Sequence, residues 1–331
     1  MGRSMAAELL STLEFEKPIV ELENQIREMR GAASQPGNNL DNEIRSLEAK
    51  VSELLKNVYG KLGTWERVLL SRHFNRPHTI DYIQQLITEF HPLSGDRHFA
   101  DDPSMIAGLG YFQGEKIAII GIEKGQKTKE KIHHNFGMPR PEGYRKAIRV
   151  MELAGRFGIP ILTLVDTPGA FPGVEAEERG QATAIAENLE KMFRIPVPII
   201  SVIIGEGGSG GALAIAIADK VMMMEYSIYS VISPESCASI LWSDPKMADV
   251  AAKALHLTPA KALELGVADQ IIPEPLGGAH RNHNEAAQLL AQALKQNFAS
   301  LKNLEPRSLV EERYRKFRTM GNSTLALPNN K

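Results

Sequence analysis

Two stretches of sequence decide the fold, Ile161-Leu-Thr-Leu-Val-Asp-Thr-Pro-Gly-Ala-Phe-Pro-Gly173 and Pro198-Ile-Ile-Ser-Val-Ile-Ile-Gly-Glu-Gly-Gly-Ser-Gly-Gly211. Each begins with a short, almost continuously apolar run and ends in a glycine-rich turn. Such a run is typical of a strand that is buried on both faces of a parallel sheet. Helical patterns follow both turns, over residues 176–193 and 212–218. The repetition of strand, turn and helix predicts a largely buried α/β layer structure.

The sequence around these stretches extends the pattern. Two apolar segments, residues 105–111 and 116–122, are joined at Gln113-Gly114, which predicts a β-hairpin. Pro77 and Thr79 indicate the start of a helix over residues 80–90. Two further strands and three further helices are predicted, at residues 221–225 and 228–232 and at 144–157, 238–242 and 259–265.

Both ends of the chain are predicted to be helical. Near the N-terminus, apolar residues recur at spacings of three and four in two sets, and the polar stretch 31–39 separates them. This arrangement predicts an antiparallel helical hairpin. The two sets are Ile19, Leu22, Ile26 and Met29, and then Ile44, Leu47, Val51, Leu54 and Val58. Residues 285–320 are predicted to form a helix that is broken near Pro306, with a frayed tail after it.

The chain therefore divides into four segments. Residues 1–60 form the helical hairpin, which we expect to serve subunit assembly because its stripes exceed what one hairpin can bury. Residues 61–104 form a helical bridge, and residues 105–282 form the α/β core that carries the chemistry. Residues 283–331 supply the C-terminal helices and the frayed tail.

Composition excludes several classes of protein. The chain has 331 residues and a formal net charge of −2, so its overall field does not attract nucleic acid or an anionic membrane. Its one cysteine, Cys237, cannot form an internal disulfide or supply the two to four thiolates of a structural zinc site, and we expect no metal on this chain. No apolar run of 18 residues and no signal-peptide pattern occurs. We expect a cytoplasmic protein.

The second glycine turn matches two short motifs of unrelated enzymes. Gly205-x-Gly207-x-x-Gly210, with Glu225 twenty residues on, is the dinucleotide-binding pattern, although a lone match of this kind is a weak signal. Gly207-x-Ser209-x-Gly211 is the nucleophile elbow of serine hydrolases. The candidate bases for such a serine are His256, His280 and His283.

A third interpretation uses both turns as anion sites. Backbone N–H groups that point out of a glycine turn can stabilise an oxyanion, and glycine allows close approach and positive φ values. A turn needed only for close helix–strand packing explains one such loop, but it explains two poorly. Asp166 is interpreted as a turn-forming residue beside Pro168 rather than as a general base.

Longer motifs distinguish these interpretations. Six of them resemble the carboxyltransferase alpha subunits of bacterial acetyl-CoA carboxylases, and the resemblance covers nearly the whole chain. They are Gly137-Met-Pro-Arg-Pro-Glu-Gly-Tyr-Arg-Lys146, Asp166-Thr-Pro-Gly-Ala-Phe-Pro-Gly173, Glu177-Glu-Arg-Gly180, Ile204-Gly-Glu-Gly-Gly-Ser-Gly-Gly-Ala212, Tyr229-Ser-Val-Ile-Ser-Pro-Glu235 and Ile272-Pro-Glu-Pro-Leu-Gly-Gly-Ala-His-Arg281.

The resemblance implies a fold, a reaction and a set of partners. The fold is crotonase-like, a spiral of ββα units. The reaction moves CO2 from carboxybiotin, carried by a biotin carboxyl carrier protein, to acetyl-CoA, and it forms malonyl-CoA for fatty acid biosynthesis. The family assembles as an α2β2 heterotetramer with a beta subunit that carries a zinc ribbon, and it works with a biotin carboxylase. Biotin is expected to visit this chain, since no Met-Lys dipeptide of the kind that carries biotin occurs.

The resemblance also assigns roles to residues. Gly210 and Gly211 are expected to donate to the oxyanion of biotin, while Gly207 and Gly208 shape the loop and Gly169 and Ala170 offer a second donor pair. A basic stretch follows the hairpin, with seven Lys or Arg residues against two acids between residues 124 and 146. It is either an anion-binding rim or an ordinary solvated loop. Its candidate anion-binding residues are Lys124, Lys127, Lys129 and Lys131. A crotonase-type hydratase or hydrolase, and a non-catalytic scaffold, remain the alternatives.

Overall fold

The computed structural model describes residues 12–33 and 40–321. The sequence predictions for the start of the hairpin, most of its connecting turn and the C-terminal tail lie outside these residues. Within them the chain forms eight strands: β1 (Ile87–Pro92), β2 (Met105–Phe112), β3 (Glu115–Ile122), β4 (Ile161–Thr167), β5 (Ile199–Gly208), β6 (Lys220–Met224), β7 (Ile228–Ser230) and β8 (Gln270–Ile272).

Fourteen α-helices accompany the strands in the described residues. They are α1 (Lys17–Ala33), α2 (Asp41–Tyr59), α3 (Thr64–Ser71), α4 (Thr79–Leu86), α5 (Thr128–His133), α6 (Pro141–Arg156), α7 (Val174–Glu178), α8 (Gln181–Arg194), α9 (Ser209–Leu213), α10 (Pro234–Trp242), α11 (Ala248–Ala254), α12 (Pro259–Glu264), α13 (His283–Leu301) and α14 (Pro306–Thr319). Among the described residues, no helix combines the length and the apolar character that a membrane crossing requires.

All eight strands join one sheet, in the order β1-β2-β3-β4-β5-β6-β8, with β7 paired to the end of β5. The β1–β2 and β2–β3 pairs are antiparallel, and the remaining pairs are parallel. The predicted hairpin is confirmed, with Phe112 opposite Glu115 at its turn. The predicted mixed α/β architecture with a mostly parallel sheet is confirmed as well.

The central strands are apolar throughout because both faces of the sheet are covered. On β4, Ile161 and Val165 face a core cluster that includes residues of α6 and α8, whereas Leu162 and Leu164 face a second cluster that includes residues of α4 and α13. The side chains of a strand alternate between its two faces, so a strand between two helical layers has no polar side. This arrangement aligns the carboxyl ends of β4 and β5 at one edge of the sheet.

The structure corrects four sequence predictions. The predicted helix 212–218 lies earlier in the chain, at Ser209–Leu213. The predicted helix 80–90 ends at Leu86, and residues 87–92 form the edge strand β1 because Ile87 and Thr88 pair with β2. The predicted helix 176–193 is two helices, interrupted where Gly180 adopts a left-handed conformation with φ of 81°. The predicted loop 205–211 is mostly strand, since its first half pairs with β7.

The N-terminal helices α1 and α2 pack on each other and on Tyr226 of the core. Glu16, just before α1, is buried and accepts hydrogen bonds from the hydroxyl of Tyr59 at 2.6 Å and from His280 at 3.0 Å. Burial alone would raise the pKa of this carboxyl, but the contacts with His280 and Tyr59 hold its pKa at about 2. The predicted helices are therefore present, and much of their apolar surface is buried within the same chain.

Candidate functional site

The two glycine turns meet at the carboxyl ends of β4 and β5. The strands pair regularly from Ile161 opposite Ile199 to Val165 opposite Ile203, and then the register shifts so that Thr167 lies opposite Gly207. The backbones touch beyond this point. A Cβ on Gly208 would lie 2.3 Å from the Pro168 carbonyl oxygen, so a side chain there would require the backbone itself to shift.

The structure brings some of the predicted oxyanion donors together. A Cβ on Gly211 would lie 2.5 Å from the Ala170 nitrogen, so these two backbones are in direct contact. Gly210 and Gly211 stand in the first turn of α9, where an N–H group has no carbonyl four residues back within the helix. The Gly169 N–H instead donates to the Thr167 hydroxyl at 2.9 Å. In the second donor pair, Ala170 is therefore the better placed residue.

A Cβ at Gly210 would make no close contact outside its own helix. The nearest atom to a Cβ built there is a methyl carbon of Ile185, at 3.9 Å. Gly207 differs, because a Cβ there would lie 2.7 Å from the ring of Tyr229. Gly207 and Gly208 thus allow the chain to pack closely, whereas Gly210 has room for a Cβ.

Ser209 has the strained backbone of a nucleophile elbow but lacks the partner of one. It is exposed and has a φ of 57°, which a non-glycine residue rarely adopts. His280 bonds to Glu16, and His283 bonds to the carbonyl of Asn75. In the part of the chain that the structure describes, no histidine forms a hydrogen bond with the Ser209 hydroxyl, so no serine–histidine dyad is assembled.

The pairing of β5 contradicts the interpretation of this turn as a dinucleotide-binding loop. Its first two glycines, Gly205 and Gly207, belong to the strand, and Gly207 pairs with Tyr229 of β7. These residues therefore extend the sheet instead of turning their N–H groups toward a pyrophosphate. Glu225, the expected ribose ligand, accepts a hydrogen bond from the N–H of Glu274 at 3.1 Å.

A chain of largely buried ionisable residues lies directly behind the turns, and the sequence predictions missed most of it. It consists of Arg72, Glu206, Lys124, Asp166 and His78, and we call it the buried charge chain. The Lys124 ammonium lies 2.8 Å from Asp166 and 2.5 Å from Glu206. Arg72 contacts Glu206 at 2.5 Å, and His78 Nδ1 lies 2.8 Å from Asp166.

The charge chain fixes the protonation of Asp166. Burial alone would raise the pKa of this carboxyl, but the Lys124 ammonium and the hydrogen bond with His78 hold its pKa well below the usual range. Asp166 is 1% exposed, and its carboxylate contacts Lys124 and His78. It is a fixed anion behind the turn and has no capacity to act as a general base near neutral pH.

The basic stretch 124–146 divides into inner and outer residues. Lys124 belongs to the charge chain, and Lys146 is buried against Asp101 and the carbonyl of Asp102. Lys127, Lys129 and Lys131 lie in or beside the short helix α5 at the surface. The structure thus separates Lys124 from the other three candidate anion-binding residues.

Arg140 is a further residue at the site that the sequence predictions did not single out. Its guanidinium stacks 4.5 Å above the ring of Phe171, next to Ala170 in the first turn. Its Nε is buried without a hydrogen-bond partner among the described residues, while the side chain is 36% exposed. The only signal in the sequence was its place in the motif that begins at Gly137.

One cluster outside the turns has the composition of a metal site. Glu16, His73 and His280 place one potential ligand atom each within 4.8 Å of the others. His73 Nδ1 accepts the N–H of Asn75 at 3.1 Å, and its Nε2 lies 4.0 Å from the Glu16 carboxylate. In this structure the Glu16 carboxylate accepts hydrogen bonds from Tyr59 and His280.

Comparisons with known proteins agree on one family. Residues 12–321 match the family described as "Acetyl co-enzyme A carboxylase carboxyltransferase-like". The acetyl-coenzyme A carboxylase carboxyl transferase subunit alpha of Thermus thermophilus is 53% identical over 309 residues, which cover 93% of this chain and 98% of that protein. The same subunit of Idiomarina loihiensis is 50% identical over 94% of this chain and 99% of that protein.

Solved structures with low sequence identity share the fold. Transcarboxylase 12S superposes with a TM-score of 0.55 at 19% identity, over 70% of this chain and 44% of that chain. A Pseudomonas malonate decarboxylase hetero-tetramer gives a TM-score of 0.58 at 13% identity, over 74% of this chain and 97% of the matched chain. The mixed α/β fold and its mostly parallel sheet match these crotonase-like structures.

Proposed function

The chain belongs to the family of acetyl-CoA carboxylase carboxyltransferase alpha subunits, and from this membership we propose how its two glycine turns take part in the reaction. The reaction of that enzyme is biotin-dependent, and an alpha subunit is one component of a multi-subunit complex. The assignments of the carrier and the beta subunit follow from the family resemblance, and those of individual residues are argued from the geometry of the turns.

The two turns form a single oxyanion site for the ureido oxygen of biotin. The observation that carries this proposal is the backbone contact between Gly211 and Ala170 at the adjoining ends of two parallel strands. Carboxybiotin supplies the CO2 and, once decarboxylated, a nitrogen that can take the methyl proton of acetyl-CoA. The N–H groups of Gly210 and Gly211 stabilise the negative charge that develops on the ureido oxygen, and Ala170 supplies a further donor, with Gly169 beside it.

The site fits such a ligand because its donors belong to the backbone and are fixed before the ligand arrives. The absence of a side chain at Gly210, which is half-buried beside the exposed Ser209, is proposed to give a planar group access to the turn. The buried charge chain leaves no titrating carboxylate directly behind the turn. Preorganised donors do not reorient during the reaction, which is the main advantage of an oxyanion site over solvent.

The remaining components are proposed to come from other chains. A zinc-ribbon beta subunit would bind acetyl-CoA in an α2β2 heterotetramer, and the carrier protein and biotin carboxylase would deliver carboxybiotin. A surface suited to a partner lies beyond β7, where large apolar side chains are exposed: Val231, Ile240, Leu241 and Trp242. The N-terminal helices are proposed to contribute to assembly as well. We expect this chain to co-purify with a cysteine-rich partner, and a chain that stays alone beside an expressed beta subunit would contradict the assignment.

We expect Lys127, Lys129 and Lys131, which we call the outer lysines, to act through their charge. Changing Lys127, Lys129 and Lys131 together to glutamine should raise the KM of the assembled enzyme for acetyl-CoA or for the carboxylated carrier, with kcat little changed. The increase should be larger at low salt, since the Debye length falls from about 30 Å at 0.01 M to about 10 Å at 0.1 M. Steady-state kinetics at both salt concentrations measure the effect.

A matched control has the same change in charge at the other end of the sheet. Lys116, Lys295 and Lys302 line one cavity near the amino end of β3, away from the glycine turns. Their replacement by glutamine should leave both KM values unchanged. If the two triple variants change KM equally, or if neither changes KM at low salt, then Lys127, Lys129 and Lys131 are ordinary solvated surface residues without a role in anion binding.

A further inference from the structure

The carboxyl ends of β4 and β5 are joined by side chains as well as by the backbone ladder. Lys124, which follows β3, places its ammonium between the carboxylates of Asp166 on β4 and Glu206 on β5. Asp166 immediately precedes the first turn, and Glu206 immediately precedes Gly207 and Gly208. One cation from a third strand therefore connects the two residues from which the turns begin.

These contacts lie where the regular pairing between β4 and β5 is interrupted. The register between β4 and β5 shifts between Val165 and Thr167, and Asp166 has no ladder partner on β5. Its Oδ1 accepts the N–H of Glu206 at 3.0 Å, and a Cβ on Gly205 would lie 2.5 Å from the same oxygen. A side-chain carboxylate thus takes the place of the missing backbone partner at the irregularity that sets Thr167 opposite Gly207.

The four charged side chains of this group are mostly buried, and Arg72 also contacts the more exposed Glu235 at 2.5 Å. Lys124 and Arg72 face Asp166 and Glu206, and the exposed side-chain fractions are 13%, 28%, 1% and 9% in that order. Burial disfavours the Lys124 ammonium, yet the two carboxylates outweigh that cost and raise its pKa. Well-packed apolar residues are often as stable as a buried ion pair, so stability alone does not explain these charges.

We propose that Lys124 is a positioning residue, which holds the two glycine turns in the relative register that the oxyanion site requires. This inference rests on the proposed function of the turns. The lysine does not touch the substrate; it acts through Asp166 and Glu206 on the backbone from which Ala170 and Gly211 follow. Misplacement of reacting groups by about 1 Å can cost on the order of a hundredfold in rate.

The test is steady-state kinetics of the assembled enzyme that contains Lys124→Met. We expect kcat to fall about ten- to a hundredfold, with the KM for acetyl-CoA nearly unchanged, because acetyl-CoA binding is assigned to the partner. Lys124→Arg keeps the charge but changes the reach of the side chain, so it should recover stability more fully than kcat.

A second variant separates positioning from plain stability. Lys124→Met leaves two buried carboxylates with one cation too few, whereas Lys124→Met/Asp166→Asn removes the excess charge. The double variant should regain most of the thermal stability that the single variant loses, yet its kcat should stay low because the bridge is still absent. Recovery of kcat in parallel with Tm would overturn the inference, as would a folded Lys124→Met enzyme with kcat within twofold of the original.

These outcomes are distinct from failure of the proposed function. If Gly210→Val, which obstructs the turn directly, leaves carboxyl transfer intact, then the oxyanion site itself is misassigned. If Gly210→Val abolishes transfer while Lys124→Met does not alter it, the site stands and only the role of Lys124 is wrong.

Discussion

Replacing Gly211 or Gly210 with valine is expected to lower kcat for carboxyl transfer about a hundred- to a thousandfold, the usual effect of losing one oxyanion donor. Replacing Ser209 with alanine is expected to leave kcat within a few-fold of the original. The difference follows from the nature of the donors, since an oxyanion site made of backbone N–H groups does not need the serine hydroxyl. A serine hydrolase would show the reverse order.

The two glycine variants act in different ways. A Cβ on Gly211 meets the Ala170 nitrogen at 2.5 Å and the Gly169 carbonyl carbon at 2.6 Å, so valine there forces the two turns apart. A Cβ on Gly210 meets nothing closer than 3.9 Å, so valine there fills the entrance while the fold is retained. The assay is malonyl-CoA formation by the assembled enzyme, with thermal unfolding as the control for folding. A folded but inactive Ser209→Ala variant would contradict the oxyanion interpretation.

The largest expected effect on stability comes from a second buried ion pair. Changing Arg76 to methionine should lower the free energy of unfolding by about 3–5 kcal/mol, because it leaves the carboxylate of Glu274 buried without its cation. Arg76 is 1% exposed, contacts Glu274 at 3.0 and 2.5 Å, and donates to the Ile204 carbonyl at 2.7 Å. Glu274 also accepts the N–H groups of Tyr226 and Ala279.

Urea denaturation of the chain and its variants measures this effect. Arg76→Met/Glu274→Gln should lose less stability than Arg76→Met alone, since the double variant has no unpaired charge. Arg30→Met is the matched control, because Arg30 and Glu48 form an ion pair in which both side chains are largely exposed. Breaking that pair should cost only about 0–1 kcal/mol. Similar losses for Arg76→Met and Arg30→Met would show that burial of the first pair has no energetic consequence.

The sequence predicted those parts of the fold that depend on local pattern. The apolar runs of β4 and β5, the β2–β3 hairpin and the N-terminal helices each carry their own periodicity or turn residues. Strand β1 was missed because residues 87–92 continue a helical pattern and become a strand only by pairing with β2. The sequence does not indicate the extension of β5 through Gly208 for a similar reason, since each paired residue of its partner β7 lies 22 residues further along the chain.

The candidate site was predicted in its backbone but not in its charges. Glycine-rich turns after apolar strands are visible in the sequence, and the family resemblance then assigns donor roles to Gly169, Ala170, Gly210 and Gly211 within them. The contact between Lys124, Asp166 and Glu206 joins three segments that are about forty residues apart, and nothing local indicates it. Lys124 was therefore grouped with the exposed lysines that follow it, although the structure places it behind the turns.

The most direct test of the central claim is malonyl-CoA formation from acetyl-CoA and the carboxylated carrier. It is measured with this chain alone, with a carboxyltransferase beta subunit alone, and with both. We expect almost no product from either chain alone and sustained turnover from the mixture, which Gly210→Val in this chain should abolish. Full activity from this chain without a partner would contradict the account, and so would an active mixture that is indifferent to Gly210→Val.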